Sequence, residues 1–180
     1  MTHGTKEKIV NAALKEFSEK GFSGAKTKDI AERSGLSEMT LFRRFKTKKN
    51  LFNQVLIENR NDLIKDFNLL LEDQEIESSK YYFKNITIQL YELTEKYFEF
   101  LSLIILERHK ISEEIIGELI SYLTEILEKI FPDADVNSRV FVFSILSFMY
   151  LSVLDRRLGR NIIVHKDDFE KFIDYSMKCL

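Results

Sequence analysis

Residue types that build turn-rich or cross-linked proteins are scarce in this chain of 180 residues, which has one proline, six glycines and one cysteine. So little proline and glycine argues against a β fold with many tight turns. The single cysteine, Cys179, excludes a disulfide within the chain and fits a reducing compartment. The N-terminal residues are polar, so we expect no signal peptide and a cytoplasmic location. The hydrophobic share of 44% and charged share of 31% are typical of soluble globular proteins.

Sequence patterns of catalytic and metal sites are also missing. The chain has three scattered histidines and no glycine-rich phosphate loop, metal-ligand spacing or nucleophile motif. We therefore expect no enzymatic activity, no metal and no cofactor.

Charge is distributed unevenly along the chain, although the formal net charge is only −2. Residues 1–50 contain 12 Lys and Arg against 6 Asp and Glu, whereas residues 51–180 contain 15 basic and 23 acidic residues. Phosphate groups would attract the basic N-terminal segment and repel the acidic remainder. This asymmetry favours a nucleic-acid partner at the N-terminal end.

The apolar residues recur at helical spacing along most of the chain, which predicts an all-α fold. In the first helix, for example, Ile9, Ala13 and Phe17 lie four residues apart. The predicted helices span residues 5–20, two short helices within 27–45, 48–71, one or two helices within 80–109, 112–131, 136–158 and 167–179.

Residues 27–45 have the pattern of a helix-turn-helix. Thr27 is placed to cap the first helix and Ser37 the second, and Gly35 follows the first helix at a position that favours left-handed backbone. Leu41 and Phe45 lie four apart and predict the buried face of the second helix. The basic residues fall on its exposed face, as insertion into the DNA major groove requires. An ordinary helical hairpin with a solvated basic face has the same local pattern.

Residues 5–52 resemble the DNA-binding domain of the TetR family of transcriptional regulators. The matching stretches are Ile9-Val-Asn-Ala-Ala-Leu-Lys-Glu-Phe17, Lys20-Gly-Phe22, Thr27-x-x-Ile-Ala31, Ser34-Gly-Leu-Ser37, Thr40-Leu-Phe-Arg-Arg-Phe45 and Lys48-x-x-Leu51. Three positions depart from the family pattern: Phe42 replaces the usual tyrosine, Arg44 a common histidine and Met39 a frequent glycine. Beyond residue 52 the resemblance is architectural only.

The resemblance implies a helix-turn-helix domain over residues 1–50, a three-helix bundle, and a larger helical effector-binding and dimerisation domain over residues 51–180. We expect nine residues to contact DNA: Thr27, Lys28, Ser37, Met39, Thr40, Phe42, Arg43, Arg44 and Lys48. The resemblance also implies a pocket for a small apolar or aromatic effector. Its candidate residues are Asn59, Leu63, Phe67, Tyr82, Ile86, Tyr97, Leu101 and Tyr122, although such an aromatic stripe also suits a plain core.

The segment from Val140 to Leu154 is apolar except for three serines. Fifteen helical residues span roughly 22 Å, short of the ~30 Å apolar core of a bilayer. We therefore expect no membrane span. A helix that is apolar on all sides needs cover on all sides, and a second copy of the chain is the simplest cover. The sequence predicts a homodimer through residues 136–158 and 167–179.

Together these features predict a dimeric, sequence-specific regulator of transcription that binds a palindromic operator in double-stranded DNA. As in most members of the family it resembles, it would be a repressor released by a small apolar effector. The alternative is a constitutive helical DNA-binding protein with a filled core and no effector.

Overall fold

A computed structural model describes residues 3–72, 78–107, 114–159 and 166–180, and every regular element in these ranges is an α-helix. The helices are α1 (His3–Gly24), α2 (Thr27–Ser34), α3 (Glu38–Phe45), α4 (Lys48–Glu72), α5 (Ser79–Lys96), α6 (Phe98–Leu106), α7 (Glu114–Ile130), α8 (Ser138–Arg157) and α9 (Lys166–Cys179). The predicted all-α fold class is confirmed. The sequence also predicts a polar connection over residues 72–79 and places His109 near a helix end. The connection lies mostly, and His109 wholly, outside the described residues.

The chain divides into two compact units. The first unit contains Met1–Lys65 and Glu99–Ser112, and the second contains Asp66–Phe98 and Glu113–Leu180. Residues 51–65 and nearly all of α6 thus group with the N-terminal helices. A functional division at residue 50 stays a prediction.

The first unit is built on the apolar face of α1. Ile9, Ala13 and Phe17 are fully buried, as their spacing predicted. The Phe17, Phe22 and Phe52 rings form a cluster with centroids 5.0–6.1 Å apart. This cluster joins α1 to the first turns of α4, and these turns follow directly from the helix-turn-helix.

The second unit has its own core between α5, α7, α8 and α9. Tyr82, Ile86 and Leu90 from α5 are buried with Leu123 and Leu127 from α7. Within the predicted range 80–109, the described residues form two helices in close succession, α5 and α6, because the backbone leaves helical geometry at Tyr97. Helix α7 ends at Ile130, shortly before Pro132, whose ring disfavours a continuing helix.

Helix α8 has one buried and one exposed apolar face. Met149 and Val153 are fully buried, whereas Val140 and Phe143 are 60% and 57% exposed. By length and composition alone, α8 is the one helix in the described ranges that could cross a membrane. The buried face of α8 contacts the core of the second unit, whereas its other apolar face is exposed among the residues that the structure describes.

Candidate nucleic-acid interface

A network of charged side chains fixes α2 against α1. The Glu16 carboxylate is almost fully buried and forms ion pairs with Lys20 and with Arg33. Arg33 also donates two hydrogen bonds to the Glu19 carboxylate, at 2.8 and 2.9 Å. These bonds lower the pKa of Glu19, and the hydrogen bond from Lys20 lowers the pKa of Asp29 in the first turn of α2. The network therefore holds the first helix of the motif in place.

The turn between α2 and α3 is closed by local hydrogen bonds. Gly35 adopts left-handed backbone (φ 69°, ψ 24°), as predicted. Its N–H donates to Glu32 O, and the N–H of Leu36 donates to Ala31 O, which is the Schellman pattern of a helix end. Ser37 then caps α3, since its hydroxyl oxygen accepts a hydrogen bond from the N–H of Thr40. These bonds set the angle between the two helices.

The prediction that Thr27 caps α2 is wrong. The capping position is Lys26, in extended backbone, and its side chain makes no capping hydrogen bond. Thr27 is the first helical residue, and its hydroxyl donates to a carboxylate oxygen of Glu38 at the start of α3. The Thr27 hydroxyl therefore links α2 to α3 and does not cap its own helix.

Helix α3 buries one side and presents the other to solvent. Leu41 and Phe45 are buried, as predicted, and Met39 is 80% exposed. Arg43, Arg44 and Phe42 are also exposed, while Thr40 is half-buried and shares a hydrogen bond with the Ser37 hydroxyl. Neither arginine pairs with a carboxylate in the described part of the chain. Two such guanidinium groups on one short helix suit binding to phosphates and to guanine edges.

The remaining predicted DNA contacts lie at the starts of α2 and α4. Lys28 is exposed. Lys48 is half-buried: its ammonium donates to Ala25 O at 2.9 Å and lies 4.7 Å above the Phe22 ring. Thr47 caps α4, since its hydroxyl oxygen accepts a hydrogen bond from the N–H of Asn50 at 3.0 Å. The hydrogen bond to Ala25 O holds the Lys48 ammonium at the start of α4. A phosphate contact by Lys48 stays a prediction.

Of the eight predicted effector residues, one lines the cavity that the structure describes in the second unit, and an effector role for the other seven stays a prediction. An apolar cavity of about 40 Å³ in the second unit lies between α5, α7 and α8. Of the predicted residues, only Ile86 lines it, and the full lining is Phe83, Ile86, Thr87, Leu90, Leu123, Ile126, Leu127, Ile130, Val142, Ile145 and Leu146.

Several of the other predicted effector residues have identified contacts, and Phe67 and Tyr82 belong to the same buried cluster as Ile86. Asn59 donates to Val55 O of its own helix, and the Tyr97 hydroxyl donates to Asp66. Tyr122 packs edge-on against Phe67. Tyr82 is buried, and this burial raises the pKa of its phenol. Leu63 is buried and Leu101 half-buried.

Sequence reasoning missed two features of the interface region. Lys46, between α3 and α4, is exposed and has left-handed backbone (φ 67°, ψ −45°), which is unusual for a residue other than glycine. Glu107, after the end of α6, accepts a hydrogen bond from the N–H of Phe22 at 2.7 Å. The cluster of Lys46, Lys48 and Lys49 in the sequence indicates that Lys46 is exposed. No local sequence pattern indicates the contact between Phe22 and Glu107.

Comparison with known proteins places the helix-turn-helix in a family. Residues 9–55 match the family of bacterial regulatory proteins described as the tetR family. An uncharacterized HTH-type transcriptional regulator of Bacillus subtilis (strain 168), YvkB, is 36% identical over 58 residues, which cover 32% of this chain and 31% of YvkB. The match to this relative therefore spans about a third of its length.

Solved structures share the fold over almost the whole chain. The ketosteroid transcriptional regulator KstR2 of Mycobacterium tuberculosis superposes with a TM-score of 0.78 at 13% identity, covering 99% of this chain and 95% of that one. The TetR family regulator PfmR of Thermus thermophilus gives 0.66 at 19% identity, covering 96% and 95%. At such low identity these likenesses show the fold alone.

Proposed function

Because this chain belongs to the TetR family of regulatory proteins through its helix-turn-helix, we propose that it is a dimeric, sequence-specific DNA-binding regulator of transcription. The observation that carries the proposal is the two-sided character of α3. Leu41 and Phe45 anchor it, and Met39, Arg43 and Arg44 face solvent. A short helix anchored on one side with exposed cations on the other is suited to the major groove.

The nine predicted DNA-contacting residues divide into two roles. Met39, Thr40 and Arg43 contact base edges, because the N-terminal part and outer face of the second helix reach deepest into the groove. Thr27, Lys28, Ser37, Phe42, Arg44 and Lys48 hold the phosphate backbone. Phe42 lacks the hydroxyl of the usual tyrosine, and the adjacent Arg44 offers a charge-assisted contact in its place.

Dimerisation is supported by the exposed face of α8. Val140, Phe143 and Leu151 are 60%, 57% and 46% exposed, and they follow one another at helical spacing along this face. Large apolar side chains aligned on one exposed face are typical of protein interfaces. Residues 136–158 and 167–179 of two chains would pack around a two-fold axis. The other face of α8 contacts the protein core, so a second chain suits this helix better than a membrane does, and we place the protein in the cytoplasm.

A dimer presents two copies of α3 to one duplex. Two-fold symmetric proteins bind palindromes with half-sites about 34–36 Å apart, or a multiple of this distance. A second copy also doubles the phosphate contacts, on which affinity at cellular salt depends.

A small apolar effector would act through the second unit and release a repressor from its operator. The cavity lining supports an uncharged ligand, since Thr87 is its one polar side chain and already donates its hydroxyl to Phe83 O. A ligand must push side chains aside, because 40 Å³ holds only a few water-sized groups. Its effect on DNA affinity equals its difference in affinity between the DNA-competent and released states.

The small cavity also favours the second candidate function, a constitutive DNA-binding protein with a filled core. A straight-chain alcohol such as 1-decanol separates the two. In a sensor the alcohol weakens DNA binding. Thr87→Ile replaces the hydroxyl with a larger ethyl group in the cavity lining and reduces that effect. In a constitutive binder, neither the alcohol nor the substitution changes DNA affinity.

The proposal as a whole is tested by selecting bound duplexes from random DNA with the purified full chain. We expect enrichment of a palindrome and a two-to-one ratio of protein to DNA in the complex. Absence of binding to every duplex in dilute salt would overturn it.

A further inference from the structure

The last turn of α1 is set apart from the rest of that helix by a kink. Gly21 breaks α1 with φ 68° and ψ 171°. The chain then makes a turn over residues 22–25, closed by a hydrogen bond from the N–H of Ala25 to Gly21 O. The first N–H groups of such a turn have no acceptor within it. The amide of Phe22 therefore needs an acceptor from elsewhere.

Glu107 supplies that acceptor from 85 residues away. One of its carboxylate oxygens lies 2.7 Å from the amide nitrogen of Phe22, and the residue is only 8% exposed. A carboxylate at the start of a helical turn also interacts favourably with the turn dipole. Both residues belong to the first unit, and the Glu107 backbone continues from α6 by donating to Leu103 O. A residue at the end of α6 thus caps the turn before α2.

Gly21 is needed for this approach. A Cβ atom at this position would lie 2.7 Å from the same carboxylate oxygen of Glu107, and φ here is in the left-handed region. Gly21, which breaks α1, therefore also provides space for the capping carboxylate of Glu107.

The capped turn leads directly to the proposed DNA interface. Ala25 O accepts from the Lys48 ammonium, which also lies above the Phe22 ring. The next residue, Lys26, occupies the capping position of α2. The two ends of the turn thus connect Glu107 with the first residues of both α2 and α4.

We infer that Glu107 is a positioning residue for DNA binding, which acts by capping the turn at residues 22–25 and so fixing the starts of α2 and α4. The inference rests on the proposed function. Glu107 itself has no role in reading bases. Its loss lowers affinity for selected and random duplexes by the same factor.

The test compares Glu107→Ala with Glu107→Gln in the full chain, using fluorescence anisotropy with the selected duplex and with a random one. The alanine variant is expected to lose roughly tenfold in affinity for both, the effect of one lost charge-assisted hydrogen bond. Glutamine keeps a carbonyl acceptor and is expected to stay within about threefold. Glu92→Ala removes an exposed carboxylate from α5 and is expected to bind like the wild type.

Two further measurements separate positioning from general destabilisation. Amide exchange of Phe22 and Ala25 accelerates in Glu107→Ala, while that of α8 does not change. The loss from Glu107→Ala is smaller in a Lys48→Ala background, because both act through the same turn.

If the wild type binds DNA and Glu107→Ala binds with the same affinity, the inference is overturned and the proposed function stands. The inference is also overturned if Glu107→Gln loses as much DNA affinity as Glu107→Ala while amide exchange at Phe22 stays unchanged. If Glu107→Ala does not fold, the DNA affinity and the Phe22 amide exchange of Glu107→Gln test the inference. A wild type that binds no duplex is instead a failure of the proposed function.

Discussion

Helices α3 and α8 both bury one face and expose the other, but the exposed faces differ in chemistry. The exposed face of α3 has two arginines beside Met39 and Phe42, while that of α8 has Val140, Phe143 and Leu151. Exposed guanidinium groups are stable in water and gain energy from a polyanion. Exposed apolar side chains gain energy from removal of water. The difference indicates two kinds of partner for one chain: a polyanion at α3 and another apolar surface at α8.

The strongest test of this contrast is a charge on the α8 face. In a two-fold interface, Phe143→Asp places two buried carboxylates near the axis, each without a partner. Burial of an unpaired charge costs several kcal/mol, so we expect the dimer dissociation constant to rise by at least about a hundredfold. Analytical ultracentrifugation across protein concentrations measures it.

Lys84→Glu is the control for that variant, because it makes an exposed position of α5 negative and lowers the net charge even more than Phe143→Asp does. We expect it to remain as dimeric as the wild type. If Phe143→Asp and the control have the same dimer dissociation constant, the α8 face is not the interface.

The α3 face can be divided with a pair of neighbouring arginines. Arg43→Ala removes a base contact and is expected to cost about 1–3 kcal/mol on the selected duplex and to relax preference at one base pair. Arg44→Ala removes a phosphate contact, so it weakens all duplexes alike and lowers the salt slope by about 1. Binding titrations of both variants at several salt concentrations measure these effects.

Lys65→Ala, at an exposed position of α4, controls for the loss of one positive charge. Identical sequence profiles and salt slopes for Arg43→Ala and Arg44→Ala would contradict the division of roles on α3.

Two glycines, one in each unit, allow a comparison of backbone conformation between the unit that contains α3 and the unit that contains α8. Gly35 has φ 69° at the end of α2, whereas Gly117 lies inside α7, where an added Cβ atom would have no neighbour within 4 Å among the described residues. Gly35→Ala is therefore expected to destabilise by about 1 kcal/mol, and Gly117→Ala to stabilise by about the same amount. Urea unfolding followed by circular dichroism checks both signs, and a stabilising Gly35→Ala would refute the left-handed turn.

The sequence predicted those features of the fold that depend on neighbouring residues. The α2–α3 turn follows from Gly35 and Ser37, and the buried face of α3 from the spacing of Leu41 and Phe45. Contacts between distant residues were not predictable in this way. Thr27 was misassigned because its hydroxyl partner, Glu38, lies 11 residues away in the next helix, and the Glu107 contact joins residues much further apart.

The effector pocket shows a second limit of sequence patterns. Helical periodicity identifies which residues are buried, and Phe67, Tyr82 and Ile86 are indeed buried. It does not show where facing side chains fail to fill the space between helices. The observed cavity depends on how α5, α7 and α8 pack together, and just one of the predicted residues lines it.

The charged network between α1 and α2 gives the smallest expected effect and a pH test confined to the first unit. The hydrogen bonds from Arg33 lower the pKa of Glu19, so the folded state binds this proton less readily than the unfolded state. The stabilisation is complete above the unfolded pKa, ordinarily about 4.3, and is lost as pH falls through the lower folded value. Because Glu19 is half-exposed, solvent screening limits the pair to about 0.5 kcal/mol.

Glu19→Gln isolates this contribution. The variant is expected to unfold at a slightly lower temperature than the wild type at pH 7, and the difference should vanish as the pH falls through the lowered pKa of Glu19 and the wild-type carboxylate becomes protonated. Differential scanning calorimetry across this range measures it. Glu92→Gln, on α5 in the second unit, should show no such pH-dependent difference, so a gap that persists at low pH in Glu19→Gln alone would mean that packing, and not charge, holds α2 against α1.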